Sequence, residues 1–361
     1  MDGSMKAQVC CGQPSREGTS GGPGTRVETP PIASLLRAGF RRGNREVGTS
    51  GQPDVGIADP ETWRSMAERS SLGIALAVGN QKGGVGKTTV AVHLAAALGI
   101  RGYRCLLLDL DPAAGATRHL GVPENSFAGS LELLTSDEPL ESLVVTEGLP
   151  AGVHLVPARP QLSDLESLLS KFVDRTRILD RTLAAARHLY DYIILDTPPS
   201  AGAVTTVAAY SSVEWFLLAA FPHPLALGGL TEAFNDIADV RARRNPELEV
   251  LGVAFTNVDG RTRRLRAELD TLVQDLMPGR RFRTAVSQAV VVPMMSGEGK
   301  TVFDHAHQQR MFVAKQFRRL ADEVEHRTRH RDAFLRGTLG SPPSWELPAT
   351  VVTADQLAAG E

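Results

Sequence analysis

The stretch Gln81-Lys82-Gly83-Gly84-Val85-Gly86-Lys87-Thr88-Thr89 decides how the rest of the chain is read. A phosphate-binding loop ordinarily runs G-x-x-x-x-G-K-[ST], and here Gln81 occupies the first glycine position. What stands instead is K-G-G-x-G-K-T-T, with a second cation, Lys82, placed before the usual lysine, Lys87. Gly83, Gly84 and Gly86 let the backbone turn tightly, so that the N–H groups from Gly83 to Thr89, Val85 included, can point at phosphate oxygens. The helix that follows adds its positive N-terminal end. Lys87 is read as the contact to the β- and γ-phosphates, and the Thr88 hydroxyl as a Mg²⁺ ligand.

Working outward, Gly73 to Val78 is a short apolar run suited to a buried strand, and Val90 to Leu98 (VAVHLAAAL) has the alanine and leucine content of a packed helix. The same alternation continues. Apolar strand runs fall at 74–79, 104–109, 153–157, 191–196, 213–219, 249–256 and 282–286. Helical patterns fall near 86–100, 128–134, 162–188, 202–211, 225–244, 261–276 and 305–327. Continuously apolar strands separated by helices predict an α/β fold of the P-loop NTPase type, a mostly parallel twisted sheet with helices on both faces. In such sheets the ligand lies at the carboxyl ends of the strands.

Two further strand ends carry carboxylates. The second strand closes Leu106-Leu107-Leu108-Asp109-Leu110-Asp111-Pro112, whose two acids can both face a Mg-nucleotide or, alternatively, serve as a helix cap or turn. The fourth closes Tyr192-Ile193-Ile194-Leu195-Asp196-Thr197-Pro198-Pro199, an aspartate after a buried apolar strand, the arrangement that holds Mg²⁺ directly or through water. Burying an unpaired carboxylate is expensive, so a cation is expected nearby.

The chain has 361 residues and is 42% hydrophobic, enough for a proper core. Residues 1–71 are rich in Gly, Ser, Pro, Thr and Arg and read as a disordered tail. The folded domain is read as 72–330, and 331–361 as a second disordered tail. Cys10 and Cys11 are adjacent in the first tail and Cys105 lies in a strand, so no disulfide framework is expected and the compartment is read as cytoplasmic. No run approaches the roughly 18 apolar residues of a membrane span.

Together these segments resemble the ParA/MinD family of deviant Walker ATPases, and most closely the ParA partition proteins. The carriers are the KGGVGKTT loop, Asp109 to Pro112 with Thr117, Tyr192 to Pro199, Pro222 to Leu227, Asp259-Gly260-Arg261-Thr262 and Ser296 to Val302. The resemblance implies ATP and Mg²⁺ as cofactors and a homodimer when ATP is bound. It implies that Lys82 crosses to the partner subunit's nucleotide, where a cation stabilises developing phosphoryl charge. It also implies that Asp111 positions the hydrolytic water, that Asp109 and Asp196 lie near Mg²⁺ with Thr88, and that Thr256 or Asn257 contacts adenine. The family often reads D-P-Q-G-N-A-T where this chain has Asp111-Pro112-Ala113-Ala114-Gly115-Ala116-Thr117, so amide side chains are missing from that loop.

The formal net charge of −2 hides an asymmetry, because 19 Lys/Arg stand against 12 Asp/Glu between Arg241 and Arg336. A basic C-terminal third suits a polyanionic partner. The family resemblance makes that partner DNA bound without sequence preference. The candidate contacts are Arg261, Arg263, Arg264 and Arg266 on one helix, and Arg310, Lys315, Arg318 and Arg319 on another, with Met311, Phe312 and Phe317 available for packing. A ParB-like protein is the implied activator, and nucleoid association the implied location. The alternative is a MinD-like or cargo-positioning ATPase using the same dimer switch on a membrane or a protein array. Stable membrane association is not expected, since Val351 to Leu357 carries no lysine or arginine. An iron–sulfur reading fails on the placement of the three cysteines.

Overall fold

Seven apolar runs form one sheet, and its shape follows from their being apolar on both sides. The computed structural model describes residues 72–165, 178–200, 202–223, 226–259, 263–305, 307 and 311–342, all within the unit Gly48–Glu361. The strands are β1 (Ile74–Gly79), β2 (Cys105–Asp109), β3 (Val153–Val156), β4 (Tyr192–Asp196), β5 (Trp215–Ala220), β6 (Glu249–Val258) and β7 (Arg281–Ser287). Their spatial order is β3-β2-β4-β1-β5-β6-β7, and every pairing is parallel.

The helices are α1 (Lys87–Ile100), α2 (Gly115–His119), α3 (Ser130–Thr135), α4 (Ile178–Leu189), α5 (Val204–Ser212), α6 (Ala226–Arg243), α7 (Arg263–Leu276), α8 (Val291–Gly297), α9 (Phe312–Arg329) and α10 (Arg331–Leu335), with short 3₁₀ turns at Leu140–Ser142 and Pro160–Asp164. Side chains alternate through the sheet, so the core divides into two layers. Ala75, Ala77, Leu106 and Leu108 pack against α4, α5, α6 and α7 on one face. Leu76, Val78, Cys105 and Leu107 pack against α1 and α9 on the other. Helix α1 is buried almost all round because it lies between the sheet and α9. Its alanines allow that close approach.

The ladder settles where the ligand-binding end lies. Because all strands run the same way, the loops after β1, β2, β4 and β6 gather at one rim of the sheet. Among the described residues, no helix is long and apolar enough to cross a membrane.

Three sequence readings change. The helix read as one piece from 305 is interrupted: His307 is helical, but the long helix begins at Phe312, because Met311 before it is extended. The folded part was read as ending at 330, yet α10 follows and Phe334 is buried, with the Arg280 guanidinium 4.3 Å from its ring centre and Trp215 beside it. Phe312, read as a packing residue of α9, is 67% exposed, while Phe317 is fully buried. The readings of residues 1–71, of 166–177 as helix and of 343–361 as tail lie outside the described residues.

Candidate active site

The loop Gln81–Gly86 leaves β1 through Asn80 and enters α1. Gly84 and Gly86 hold φ of +74° and +86°, the left-handed region that a side chain disfavours. At Gly86 an added Cβ would also meet the Thr256 side chain at 3.3 Å. Gly86 caps α1 with no side-chain hydrogen bond, and the first turn holds no acidic residue. The first backbone N–H groups of α1 are therefore left for an anion.

Three side chains tie the loop to other elements of the fold. Asn80 donates to the Ala219 carbonyl at 2.8 Å and accepts from the Lys82 N–H at 2.9 Å. Gln81 donates to Asp236 on α6. The Thr256 hydroxyl faces the Val85 carbonyl at 2.5 Å, with the Ala220 carbonyl at 3.3 Å as its second acceptor. Thr256 is buried, whereas its neighbour Asn257 is exposed in a left-handed conformation. Of the two residues read as adenine contacts, Thr256 already spends its hydroxyl on the loop and Asn257 faces outward.

Lys87 is buried, and its ammonium has one weak acceptor, the Lys82 carbonyl at 3.3 Å. Burial lowers its pKa, and the charges of Asp196 and Asp111 offset that. Such an amine retains donors for a phosphate. Lys82, by contrast, is only half-buried, and its ammonium forms no ion pair among the described residues.

The three aspartates do different things. Asp109 and Asp196 are fully buried and stand in register on neighbouring strands. Asp109 accepts from the Thr117 N–H and hydroxyl, both at 2.8 Å, and from the Asp111 N–H at 3.2 Å. Burial still lifts its pKa to about 6, against the pull of those bonds. Asp109, read as a metal neighbour, thus anchors α2 and the loop before it. Asp196 has no hydrogen-bond donor on either oxygen. Burial and then the Asp109 charge push its pKa well above the carboxylate range. The Thr88 hydroxyl is near enough to favour the charged form but lies outside hydrogen-bond geometry. Asp111 is half-buried and closes a turn by accepting from the Ala113 N–H at 2.9 Å.

That orphaned, buried carboxylate beside a buried lysine and a threonine hydroxyl fits a divalent cation. Among the described residues no three His, Cys, Asp or Glu side chains converge to chelate a metal. A cation here needs phosphate oxygens as ligands, with Thr88 and Asp196 beside it, and supplies charge neutralisation for phosphoryl transfer. Gly115 closes against this corner, where a Cβ would lie 3.0 Å from the Thr88 hydroxyl. Its neighbour Ala114 is fixed at φ +49° without glycine's freedom.

A family model described as "AAA domain" matches residues 74–250. Chromosome-partitioning ATPase Soj of Thermus thermophilus is 36% identical over 249 residues, covering 69% of this chain and 94% of that protein. The chain belongs to the ParA/MinD family of P-loop ATPases. Among solved structures, cobyrinic acid a,c-diamide synthase of Mycobacterium smegmatis with bound ADP and magnesium matches at 27% identity and TM-score 0.59, covering 72% of this chain and 97% of that one. The septum site-determining protein MinD of Pyrococcus horikoshii, complexed with Mg-ADP, shares the fold at 23% identity and TM-score 0.58, over 70% of this chain and 96% of that one.

The basic residues read as DNA contacts do not form one patch. Arg261 and Arg310 lie outside the described residues. Arg263 opens α7, Arg264 is exposed and pairs with Glu268, and Arg266 is half-buried. Lys315 and Arg319 are exposed on α9, and the half-buried Arg318 lies 5.3 Å from the Phe303 ring. Leu269 and Val273 of α7 pack on one face of the sheet, Phe317 and Leu320 of α9 on the other. The two basic clusters therefore flank β7 from opposite faces.

Several site residues escaped the sequence reading. Asn80 had a signal, a polar residue directly after a strand and before the loop. Asp236 had none, since only the fold brings it to Gln81 across 155 residues.

Proposed function

We propose that this protein is an ATP-driven dimer switch that partitions DNA. Mg²⁺ and ATP bind at the loop, with Lys87 and the uncapped start of α1 on the phosphates and Thr88 and Asp196 on the metal side. Asp111, near enough for its charge to act on both Lys87 and Asp196, aligns the attacking water. The observation that carries the reading is Lys82: the loop's extra cation has no ion pair within its own chain among the described residues, so its charge is free for a second subunit's nucleotide. Two such subunits, each presenting a loop and a free lysine, complete one another's sites across an ATP-bound interface. A stimulated, slow hydrolysis then releases the dimer.

DNA as cargo is supported by the 36% identical relative named as a chromosome-partitioning ATPase and by the arginines of α7 and α9. Phosphate contacts of that kind carry no sequence information and weaken steeply with salt. A ParB-like activator completes the cycle. The test is retention of non-specific DNA with ATP, with ADP and without nucleotide, for wild type and Lys87→Ala. Retention should require ATP and vanish in the variant, and retention that survives Lys87→Ala unchanged sinks the reading.

A further inference from the structure

The rim opposite the candidate active site holds a second cation-rich hollow. The turn Pro278–Arg280 leads into β7 at its amino end, away from the loops that follow the strands. Between this turn, α9 and the segment Gly337–Pro342 lies a pocket of about 360 Å³ lined by Arg280, Arg281, Arg283, Arg327, His326 and Glu323, among others. Four guanidiniums thus face one carboxylate. Asp270 pairs with Arg281, and Glu249 lies 3.9 Å from Arg280. Counting these two as well, four arginines still exceed three acids.

Glu323 offsets one of these charges, its carboxylate lying 3.5 Å from the Arg327 guanidinium, and leaves the other three cations without it. It is buried, and its oxygens accept from the Arg283 and Thr284 backbone N–H groups at 2.9 and 2.7 Å. Arg327 is tied down as well, donating to the Leu251 and Arg281 carbonyls at 2.8 and 2.7 Å. The other two cations retain capacity. Arg280 keeps a buried Nη1 with no hydrogen-bond partner. Arg283 is exposed, forms no ion pair among the described residues, and its one side-chain acceptor is the Ser341 hydroxyl. Leaving a buried guanidinium donor unmet is costly, and arginine's fork matches a phosphate's oxygens. Burial holds Arg327 down to about 10 against the pull of Glu323, and the Arg280 and Arg283 charges push it the same way as burial, so an anion here relieves their repulsion.

We propose that Arg280 and Arg283, backed by Arg327, form a phosphate-type anion site separate from the nucleotide loop. Its ligand is a phosphate group, carried either by a small phosphoanion or by a nucleic-acid backbone. The site does not depend on the ATPase reading, and the test keeps the two apart.

The experiment uses the full chain in a Lys87→Ala background, which silences the loop's own phosphate site. Thermal unfolding is followed with inorganic phosphate against chloride at equal ionic strength, with and without Arg283→Gln. In a second arm, double-stranded DNA binding by otherwise wild-type protein with ATP is followed against salt, with and without Arg283→Gln. Because Arg283 is exposed, the substitution is expected to leave the fold and basal ATP hydrolysis intact, and circular dichroism checks the fold. A phosphate-specific rise in Tm that disappears in Arg283→Gln supports the site with a small phosphoanion as ligand. No such rise, together with a salt dependence of DNA binding that falls by roughly one counterion per protomer in the variant, supports the site with backbone phosphate as ligand. Identical behaviour of variant and parent in both arms overturns the proposal. Failure of the wild type to bind DNA with ATP refutes the partition reading instead, and the phosphate arm then decides the pocket alone.

Discussion

Asp109 and Asp196 stand directly opposite one another on β2 and β4, both fully buried, yet only Asp109 has hydrogen-bond donors. One carboxylate is satisfied by the protein, and its neighbour is left for a ligand. The free protein therefore holds an uncompensated polar group at the centre of its site, a cost that metal and nucleotide can remove.

Replacing that carboxylate should separate stability from activity. Asp196→Asn relieves the burial of a carboxylate and its repulsion with Asp109, which together outweigh the lost attraction to Lys87, so the nucleotide-free protein should gain on the order of 1 kcal/mol. Mg-dependent ATP hydrolysis should fall at least tenfold. Unfolding curves with and without Mg-ATP check both, and a destabilised free variant would contradict the assignment of Asp196 as the unmet group.

The loop before α2 holds Ala114 at a left-handed φ of +49°. An alanine there costs roughly 1 kcal/mol relative to glycine. Ala114→Gly should recover part of this as a higher Tm, offset by the flexibility glycine lends the unfolded chain. Denaturant midpoints measure it, and a loss of stability above about 1 kcal/mol would refute the strain.

Acid should unfold the protein through its histidines. Burial holds His93 at about 3 and His119 and His154 at about 4, below the ordinary value of 6.5. The unfolded chain binds protons there first, so stability is complete above pH 6.5 and is lost as pH falls towards 4, by up to about 1.4 kcal/mol per pH unit for each histidine. Asp109, raised to about 6, and Asp196, pushed well above the carboxylate range, work in the opposite direction but are two groups against three. His93 accepts from the Val302 N–H at 3.4 Å and stacks on Phe317 with ring centres 4.3 Å apart. His93→Asn should make the pH slope of urea-unfolding stability shallower, and an unchanged slope would exclude His93 from the acid response.

The last described helix should matter as much as a core element. Phe334 is buried beneath the guanidiniums of Arg280 and Arg327, 4.3 and 5.0 Å from its ring centre, so Phe334→Ala should cost about 3 kcal/mol. A cost below about 1 kcal/mol would mean that residues 331–342 fold onto the domain without holding it together.

Much of this was legible because it is local. All seven strands were read from apolar runs, and β1 matched to the residue, since a sheet covered on both faces needs uninterrupted hydrophobicity. Lys82, Lys87, Thr88, Asp109 and Asp196 could be singled out because each lies at a strand end or in a contiguous loop. What the sequence hid falls into two kinds. Helices α2, α8 and α10, of five, seven and five residues, are too short for a 3.6-residue period to register. The contacts that brace the loop, Asn80 to Ala219 and Thr256 to Val85, join residues 139 and 171 apart and have no local trace. The different fates of Asp109 and Asp196 depend on Thr117 folding back eight residues later, which no spacing announces.

Subunit mixing tests directly whether Lys82 acts across a dimer. Lys82→Ala keeps its own loop but lacks the donated cation, while Asp111→Ala donates Lys82 but cannot align water at its own nucleotide. Each variant alone should show little ATP hydrolysis in the presence of DNA and the activating partner, and an equimolar mixture should recover a substantial part of the stimulated rate. A mixture no faster than its two components would contradict the role given to Lys82.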